Sequence, residues 1–216
     1  MHVAQPLENR SSVSSLSKEA LLPESERPGE QRDDEARLLE ECRARSVGAF
    51  ERLYETHGAR MKSIAANLLG SVADAEDAVQ DCFLKVYRGA ASFRGDSRFS
   101  TWIYRILVNS CYDTLRQRRR RPVEARSEKK TLETDPELAA PSPDHPLRLS
   151  LEACVKDLDP RRRAAFLLFA VEGFTHREVG DILGVPEGTS KTLLFEAKRE
   201  LQRRLAKKGV VPGAEA

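Results

Sequence analysis

Aromatic and basic residues share one predicted helix near the middle of this 216-residue chain. The stretch RGDSRFSTWIYRILVNSCYDTLRQRRRR holds the only tryptophan, Trp102, and ends in an almost unbroken arginine run. Aromatic rings stack on bases that have left a duplex while arginines hold the phosphates, so single-stranded nucleic acid requires this combination. The candidate residues are Phe93, Phe99, Trp102, Tyr104, Tyr112, Arg116, Arg118, Arg119, Arg120 and Arg121.

Part of the same stretch could instead be the face of a helix that packs into a hydrophobic core. Phe99, Trp102 and Ile106 follow helical spacing, and a packing role for Trp102 is as well supported as a base-stacking role. The arginine run fits a solvated helix end beside the helix dipole, but its density favours phosphate contacts. Three side chains fall mostly off the apolar stripe and are expected at the surface: Tyr104, Asn109 and Tyr112.

A second candidate site lies in the C-terminal part, where a short helix, a turn with glycine and a longer basic helix follow one another. Thr175 and Glu178 predict a capping box that starts the short helix, and Gly184 ends it. This order is typical of a helix-turn-helix, whose second helix enters the major groove of DNA. From spacing alone, a helical hairpin with a solvated basic face is the alternative. The candidate DNA contacts are Thr189, Lys191, Thr192, Phe195 and Lys198.

The stretch DAEDAVQDCF, residues 74–83, predicts an amphipathic helix with Asp74 as its N-cap. Composition alone assigns no partner to its acidic face. Nothing in the chain indicates catalysis, because the four histidines are scattered, no serine lies in a nucleophile elbow and no glycine-rich phosphate loop follows a strand. We therefore expect a protein without enzymatic activity and without a metal or other cofactor.

The elements that must position these residues are all helices, since apolar residues recur three and four apart without convincing period-two alternation. We therefore predict an all-α chain with two small helical domains. Two stretches rich in Ser, Glu, Pro or Gly contain few large apolar residues and predict disorder. The expected order is a disordered N-terminal extension (1–32), a first domain (33–121), a flexible linker (122–146), a second domain (147–208) and a tail (209–216).

The four cysteines are far apart in the chain, and we expect buried free thiols, which are typical of a reduced cytoplasm. The net charge of +2 says little about partners. No apolar run is long enough to cross a bilayer, and the N-terminal residues lack the features of a signal peptide. The sequence therefore predicts a cytoplasmic protein without stable membrane insertion.

Four blocks follow one another along the chain: AFERLYETHGARM, DAEDAVQDCFLKVYR, SFRGDSRFSTWIYRILVNSCYDTLRQRRR and LDPRRRAAFLLFAVEGFTHREVGDILGVPEGTSKTLL. In this order they resemble the ECF (group 4) sigma factors of the sigma-70 family. The resemblance covers nearly everything from about Ala36 to Leu205 except the linker. Each block is moderately specific, and their order and spacing make the resemblance strong.

The resemblance implies a subunit that binds core RNA polymerase, recognises the −10 and −35 promoter elements and promotes strand opening. It also implies an anti-sigma factor as a partner. Sigma region 2 would occupy the first domain, and region 4 the helix-turn-helix at 175–205. The implied polymerase contacts are Asp74, Glu76, Asp77, Gln80 and Asp81. The implied −10 and melting residues are Phe93, Arg94, Phe99, Trp102, Tyr104, Arg105, Asn109, Tyr112, Arg116, Arg118 and Arg119, with Asn109 near an extruded base. The implied −35 residues are Thr175, Glu187, Thr189, Ser190, Lys191, Thr192, Phe195 and Lys198.

The chain departs from the family in its last helix. Leu193 and Glu196 stand where the family usually carries arginines, which leaves the −35 preference open. A glutamate near phosphates weakens attraction unless it accepts a hydrogen bond from a cytosine amino group. The alternative function is a helix-turn-helix regulator that binds duplex DNA without being a polymerase subunit. Such a regulator would need neither the acidic helix nor the aromatic residues of the first domain.

Overall fold

The structure, a computed structural model, describes residues 28–120 and 145–209, and every regular element in these two ranges is helical. The helices are α1 (Pro28–Arg43), α2 (Val47–Leu69), α3 (Val72–Gly89), α4 (Phe99–Arg120), α5 (His145–Lys156), α6 (Pro160–Phe166), α7 (His176–Leu183) and α8 (Glu187–Lys207). A 3₁₀ turn, Ala90–Ser92, follows α3, and a π-helical turn, Leu167–Val171, extends α6. The predicted all-α class is confirmed. Most of the predicted extension, linker and tail lies outside the described residues.

Helices α1 to α4 form the first domain, in which α2, α3 and α4 pack against one another. Their apolar stripes supply its core, with Leu53, Ile64, Val79, Ile103 and Leu107 almost completely buried. Apolar residues three and four apart on each helix produce these stripes, so the packing follows directly from the sequence pattern.

The start of α3 differs from the prediction. Ser71, not Asp74, is the N-cap: its backbone is extended and its hydroxyl accepts a hydrogen bond from the Asp74 amide at 3.3 Å. Asp74 lies in the first helical turn, where its carboxylate forms an ion pair with Arg118. Ser71 is the N-cap because its short hydroxyl side chain reaches the backbone amide three positions later in the chain, as N-cap residues do.

Two helices begin earlier than the predicted domain boundaries. Helix α1 begins at Pro28 rather than near residue 33, and α5 begins at His145, inside the predicted linker. Proline is tolerated in the first turn of a helix, where its missing N–H would have no partner in any case. Pro28 and Pro146 both occupy such first turns, so the prolines that indicated irregular structure instead start helices.

The second domain comprises α5 to α8, and its predicted caps are confirmed. Asp159 accepts from the Arg161 amide at 3.0 Å, with Pro160 at the first helical position of α6. Thr175 and Glu178 form the predicted capping box of α7, with hydrogen bonds of 3.2 and 2.9 Å. The stripe of α8 packs inward as expected, since Leu194, Ala197, Leu201 and Leu205 are all buried.

Helices α7 and α8 approach closely at Gly180. A Cβ atom at this position would lie 2.8 Å from the Val185 carbonyl oxygen and 3.4 Å from the Glu187 amide nitrogen. The turn between the helices contains Gly184 with a φ of 66°, a left-handed conformation that favours glycine. The two glycines together set the helix-turn-helix geometry.

Gly180→Ala is therefore expected to destabilise the second domain. The added methyl group meets backbone atoms that cannot rotate away, and such overpacking costs about 1–3 kcal/mol. Gly188→Ala is the matched control, because a Cβ there meets nothing within 4 Å and alanine favours a helix. Thermal unfolding followed by circular dichroism should show a lower Tm for the first variant only. Equal Tm values would contradict the close approach.

The two domains pack against each other and share a continuous hydrophobic core. Helix α4 lies against α7, and α2 lies against α6 and the π-helical turn. The sequence predicted two domains, but it did not predict this contact. Helix α4 therefore packs into the first domain on one side and contacts the second domain on another side.

All four cysteines are free and buried, as predicted. Burial raises the pKa of Cys42 to about 11 and that of Cys82 and Cys111 to about 12. These three thiols therefore stay protonated near neutral pH, and the protonated form is a poor nucleophile. Among the described helices, none has both the length and the apolar character needed to cross a membrane.

Candidate nucleic-acid interface

An open groove of about 1140 Å³ runs between α3 and the C-terminal half of α4. Mostly acidic side chains of α3 line one wall, and mostly basic side chains of α4 line the other. Of the residues expected to contact polymerase, Glu76, Asp77, Gln80 and Asp81 are exposed, whereas Asp74 is half-buried. Asp81 forms an ion pair with Lys85, with its Oδ2 2.8 Å from Nζ. Helix α3 therefore presents a mostly acidic face with Asp77 on its exposed side.

Aromatic pairs beside this acidic face were missed by sequence reasoning. Tyr54 packs on Phe83 with ring centroids 5.4 Å apart, and Phe50 packs on Tyr87 at 5.1 Å. Leu84 lies on the same helix and is 52% exposed. The aromatic spacing of four in both α2 and α3 could have revealed these pairs, because residues four apart share a helix face. They add a partly exposed apolar area to the acidic surface.

Aromatic residues on either side of the loop before α4 belong to a cluster of three rings. Phe93, Phe99 and Trp102 lie with ring centroids 5.1–5.7 Å apart. Phe93 and Phe99 are buried, while Trp102 is half-buried. The packing role that the sequence allowed for Trp102 is thus present, and its indole forms the accessible edge of the cluster. Arg94 in the loop is exposed.

Tyr104 does not lie at the surface as expected. Only 1% of it is exposed, because Phe174 of the second domain covers it with ring centroids 5.1 Å apart. Its hydroxyl lies 3.2 Å from Nδ1 of His57, and burial raises the Tyr104 pKa to about 12. Asn109, by contrast, is exposed. The prediction failed for Tyr104 since the covering residue belongs to the other domain.

Further contacts join the two domains around Arg60 of α2. Its guanidinium lies over the Phe174 ring at 4.2 Å, and its Nε donates to Glu172 Oε2 at 2.9 Å. Arg105 of α4 donates to the Asp181 carbonyl oxygen at 2.5 Å. These contacts occupy Arg105, one of the expected −10 residues. The second domain thus covers part of the candidate nucleic-acid face of α4.

Tyr112 lies at the same boundary. It is half-buried, and its hydroxyl is buried without a hydrogen-bond partner among the described residues. Burial raises its pKa, while the nearby Arg161 lowers it and Asp159 raises it. The prediction that Tyr112 lies at the surface is therefore only partly correct, since its hydroxyl is buried.

The arginines at the end of α4 have different surroundings. Arg118 donates to the Leu69 carbonyl oxygen at 2.7 Å and pairs with Asp74, which ties α4 to the turn between α2 and α3. Arg116 pairs with Asp113 one turn earlier, and Arg119 is exposed. Arg118 thus has an intradomain role, while Arg116 and Arg119 keep exposed charge.

The second helix of the helix-turn-helix, α8, has an exposed basic face. Phe195 is 66% exposed on it, and Thr189, Lys191, Thr192 and Lys198 are exposed as well. Glu187 pairs with Lys191 at 2.7 Å, and Lys198 lies 5.9 Å from the Phe169 ring centroid. The exposed residues fit the predicted major-groove face.

Two of the expected −35 residues hold the domain together in this structure. Ser190 is buried, with its hydroxyl 3.2 Å from Nδ1 of His176, and Thr175 belongs to the capping box. Glu196, the departure from the family pattern, accepts from Arg162 at 3.0 Å, and Glu200 accepts from the same guanidinium at 3.0 Å. Arg162 thereby offsets the negative charge of Glu196 on the α8 face.

Comparisons with known proteins agree with this division into two domains. The family model for Sigma-70 region 2 matches residues 53–121, and that for Sigma-70, region 4 matches residues 148–201. The ECF RNA polymerase sigma factor SigM of Mycobacterium tuberculosis is 30% identical over 177 residues, which cover 82% of this chain and 87% of the relative. The ECF RNA polymerase sigma-E factor of Escherichia coli K12 is 31% identical over 178 residues, covering 78% and 92%.

A solved structure is similar as well. The complex of the sigma factor RpoE with the anti-sigma factor NepR from Bartonella quintana matches with a TM-score of 0.58 and 26% identity. The match covers 74% of this chain and 98% of that chain. The similarity therefore spans both helical domains.

Proposed function

This chain belongs to the ECF RNA polymerase sigma factors of the sigma-70 family, and from that premise we propose how its surfaces act in transcription initiation. It is a specificity subunit that binds core RNA polymerase, recognises promoter DNA and promotes strand opening. The region 2 match to the first domain favours this function over a helix-turn-helix regulator of duplex DNA, which has no need of that domain.

The single observation that carries the proposal is the pairing of two different surfaces on the first domain. Helix α3 presents an exposed acidic face around Asp77, and α4 presents an indole edge, an exposed Asn109 and exposed arginines. The acidic face suits a basic docking surface on polymerase, because complementary charge guides association. The α4 face suits bases that leave the duplex at the −10 element.

The second domain reads the −35 element through the exposed face of α8. Lys191 and Lys198 supply phosphate or guanine contacts, while Phe195 and Thr192 supply apolar contacts to a thymine methyl group. The pair between Arg162 and Glu196 places a cation where the glutamate alone would repel phosphates. This arrangement supports DNA binding despite the departure from the family pattern.

The domains must separate before α4 can meet DNA along its whole length. Tyr104 is covered by Phe174, and Arg105 is held by the Asp181 carbonyl oxygen.

A cytoplasmic location follows from the polymerase partner. We also propose an anti-sigma factor as a partner, supported by the similar sigma factor whose structure is a complex with NepR.

Arg60→Ala is expected to shift the chain toward separated domains about tenfold. The change removes a charge-assisted hydrogen bond to Glu172 and the stacking of the guanidinium on Phe174. Small-angle scattering should show a larger radius of gyration, and binding to −10 single-stranded DNA should strengthen. Arg52→Ala is the control, since this arginine of α2 pairs with Glu41 inside the first domain. The same change in both variants would argue against the interdomain role.

The function itself is tested by transcription in vitro. The purified chain, core RNA polymerase from the same cells and a library of genomic fragments are combined, and the 5′ ends of the transcripts are sequenced. We expect initiation at a small set of promoters that core polymerase alone does not use. A chain that binds duplex DNA yet never associates with core polymerase would instead be the regulator.

A further inference from the structure

Helix α1 contacts both ends of the loop that leads into α4. At the first end, Arg43 Nη2 donates to the Phe93 carbonyl oxygen at 2.6 Å. At the other end, the Ser100 amide donates to Glu35 Oε1 at 2.5 Å. Both α1 residues precede the part of the chain that matches sigma-70 region 2, which begins at residue 53.

Glu35 supplies a hydrogen-bond acceptor and a negative charge to the start of α4. The first amides of a helix have no partner within the helix and need an acceptor. The first turn of α4 contains no acidic residue, although a negative charge there is favourable beside the helix dipole. The carboxylate of Glu35 provides both the acceptor and the charge from a different helix. Glu35 thus acts as an N-terminal cap of α4, although it belongs to another helix of the same chain.

Arg43 fixes the entry to the same loop. Glu40 lies one turn earlier and pairs with the Arg43 guanidinium at 2.6 Å, which orients it toward the Phe93 carbonyl oxygen. Glu35 and Arg43 lie about two turns apart on α1, so one helix can hold both ends of the loop. Between these ends lies Gly95, whose φ of 80° is a left-handed conformation that favours glycine.

The loop runs between Phe93 and Phe99, whose rings both pack on Trp102. We propose that Glu35 and Arg43 are positioning residues, which hold loop 94–98 and the first turn of α4 in the arrangement that promoter opening requires. The inference rests on the proposed role of α4 in strand separation. A loop that is ordered beforehand costs less to order when DNA binds, so losing this hold slows opening rather than polymerase binding.

The test compares Glu35→Ala with Glu35→Gln and Asp34→Ala in the full chain with core RNA polymerase. Glutamine keeps an oxygen acceptor without the charge, and Asp34 is an exposed neighbouring carboxylate whose loss changes the net charge equally. The template is a promoter found by the transcription experiment, used both as duplex and with its −10 region pre-opened by mismatches. Opening is followed by permanganate reactivity of the melted thymines.

On the duplex we expect Glu35→Ala to open about tenfold more slowly than the parent chain. Glu35→Gln should recover most of that loss, and Asp34→Ala should match the parent. On the pre-opened template Glu35→Ala should transcribe at the parental level, with unchanged affinity for core polymerase. A mere structural defect would instead reduce affinity and activity on both templates.

Two results would overturn the inference while leaving the proposed function standing. In one, Glu35→Ala opens the duplex as fast as Asp34→Ala. In the other, it loses activity equally on duplex and pre-opened templates. A parent chain that supports no transcription on either template would contradict the proposed function itself. If Glu35→Ala fails to fold, Arg43→Ala decides, because it releases the Phe93 carbonyl oxygen at the other end of the loop. Duplex opening as fast as that of Asp34→Ala would then overturn the inference, and slower opening on the duplex alone would support it.

Discussion

Asp77→Arg combined with Gln80→Ala is expected to weaken the binding of this sigma factor to core RNA polymerase by about 100-fold. Both side chains are exposed on α3, next to the apolar side chain of Leu84. Reversing a charge within a complementary interface replaces attraction with repulsion, and removing one partner of a close charge pair costs about 2–5 kcal/mol. Titration of labelled core polymerase with the variant measures the loss directly.

The fold should survive this change, because exposed substitutions usually alter the free energy of unfolding by less than about 0.5 kcal/mol. Glu55→Arg is the matched control: it makes the same charge reversal at an exposed position of α2. We expect the control to bind polymerase normally and both variants to bind −35 duplex DNA normally. Equal losses in the two polymerase titrations would indicate a general charge effect, and no loss in either would exclude this face of α3.

Features that depend on near neighbours in the chain could be predicted from the sequence. The capping box of Thr175 and Glu178 and the start of α6 at Asp159 each involve residues within three positions of one another. The buried stripe of α8 likewise follows from a repeat of three and four. Local hydrogen bonds and helical periodicity decide these features, so no knowledge of the tertiary structure was needed.

Features that depend on distant parts of the chain could not be predicted. Tyr104 lies off the stripe that packs inside the first domain, yet Phe174 of the second domain buries it. Glu35 accepts from the Ser100 amide, 65 residues later in the chain, and no spacing rule connects the two positions. Where two local signals competed, as with Ser71 and Asp74, composition alone did not decide between them. The candidate site is thus predictable in its residue types and helices, but not in which side chains the domain contact covers.

Trp102→Ala is expected to reduce the free energy of unfolding by about 3 kcal/mol, the lower end of the range for removing a packed tryptophan. The indole stacks on Phe99 with an interplanar angle of 19° and contacts Phe93, so its loss leaves a cavity beside the loop. Because the side chain is only half-buried, the cost stays below that of a core tryptophan. Urea unfolding followed by circular dichroism gives the value, and Trp102→Phe, which keeps a ring, should lose much less.

The same position also separates packing from base stacking. If the accessible edge of the indole stacks on an unpaired base, folded Trp102→Phe should bind closed promoter DNA normally but open it several-fold more slowly. Gly89→Ala offers an independent change, since its Cβ would lie 3.2 Å from Cζ2 of the indole and push the ring outward without removing it. Slow opening in Trp102→Phe, together with altered opening in Gly89→Ala at near-parental stability, would assign Trp102 to both core and DNA. If both variants open the promoter at the rate of the parent chain, Trp102 has a packing role alone, because neither the area nor the position of the ring would then affect strand separation.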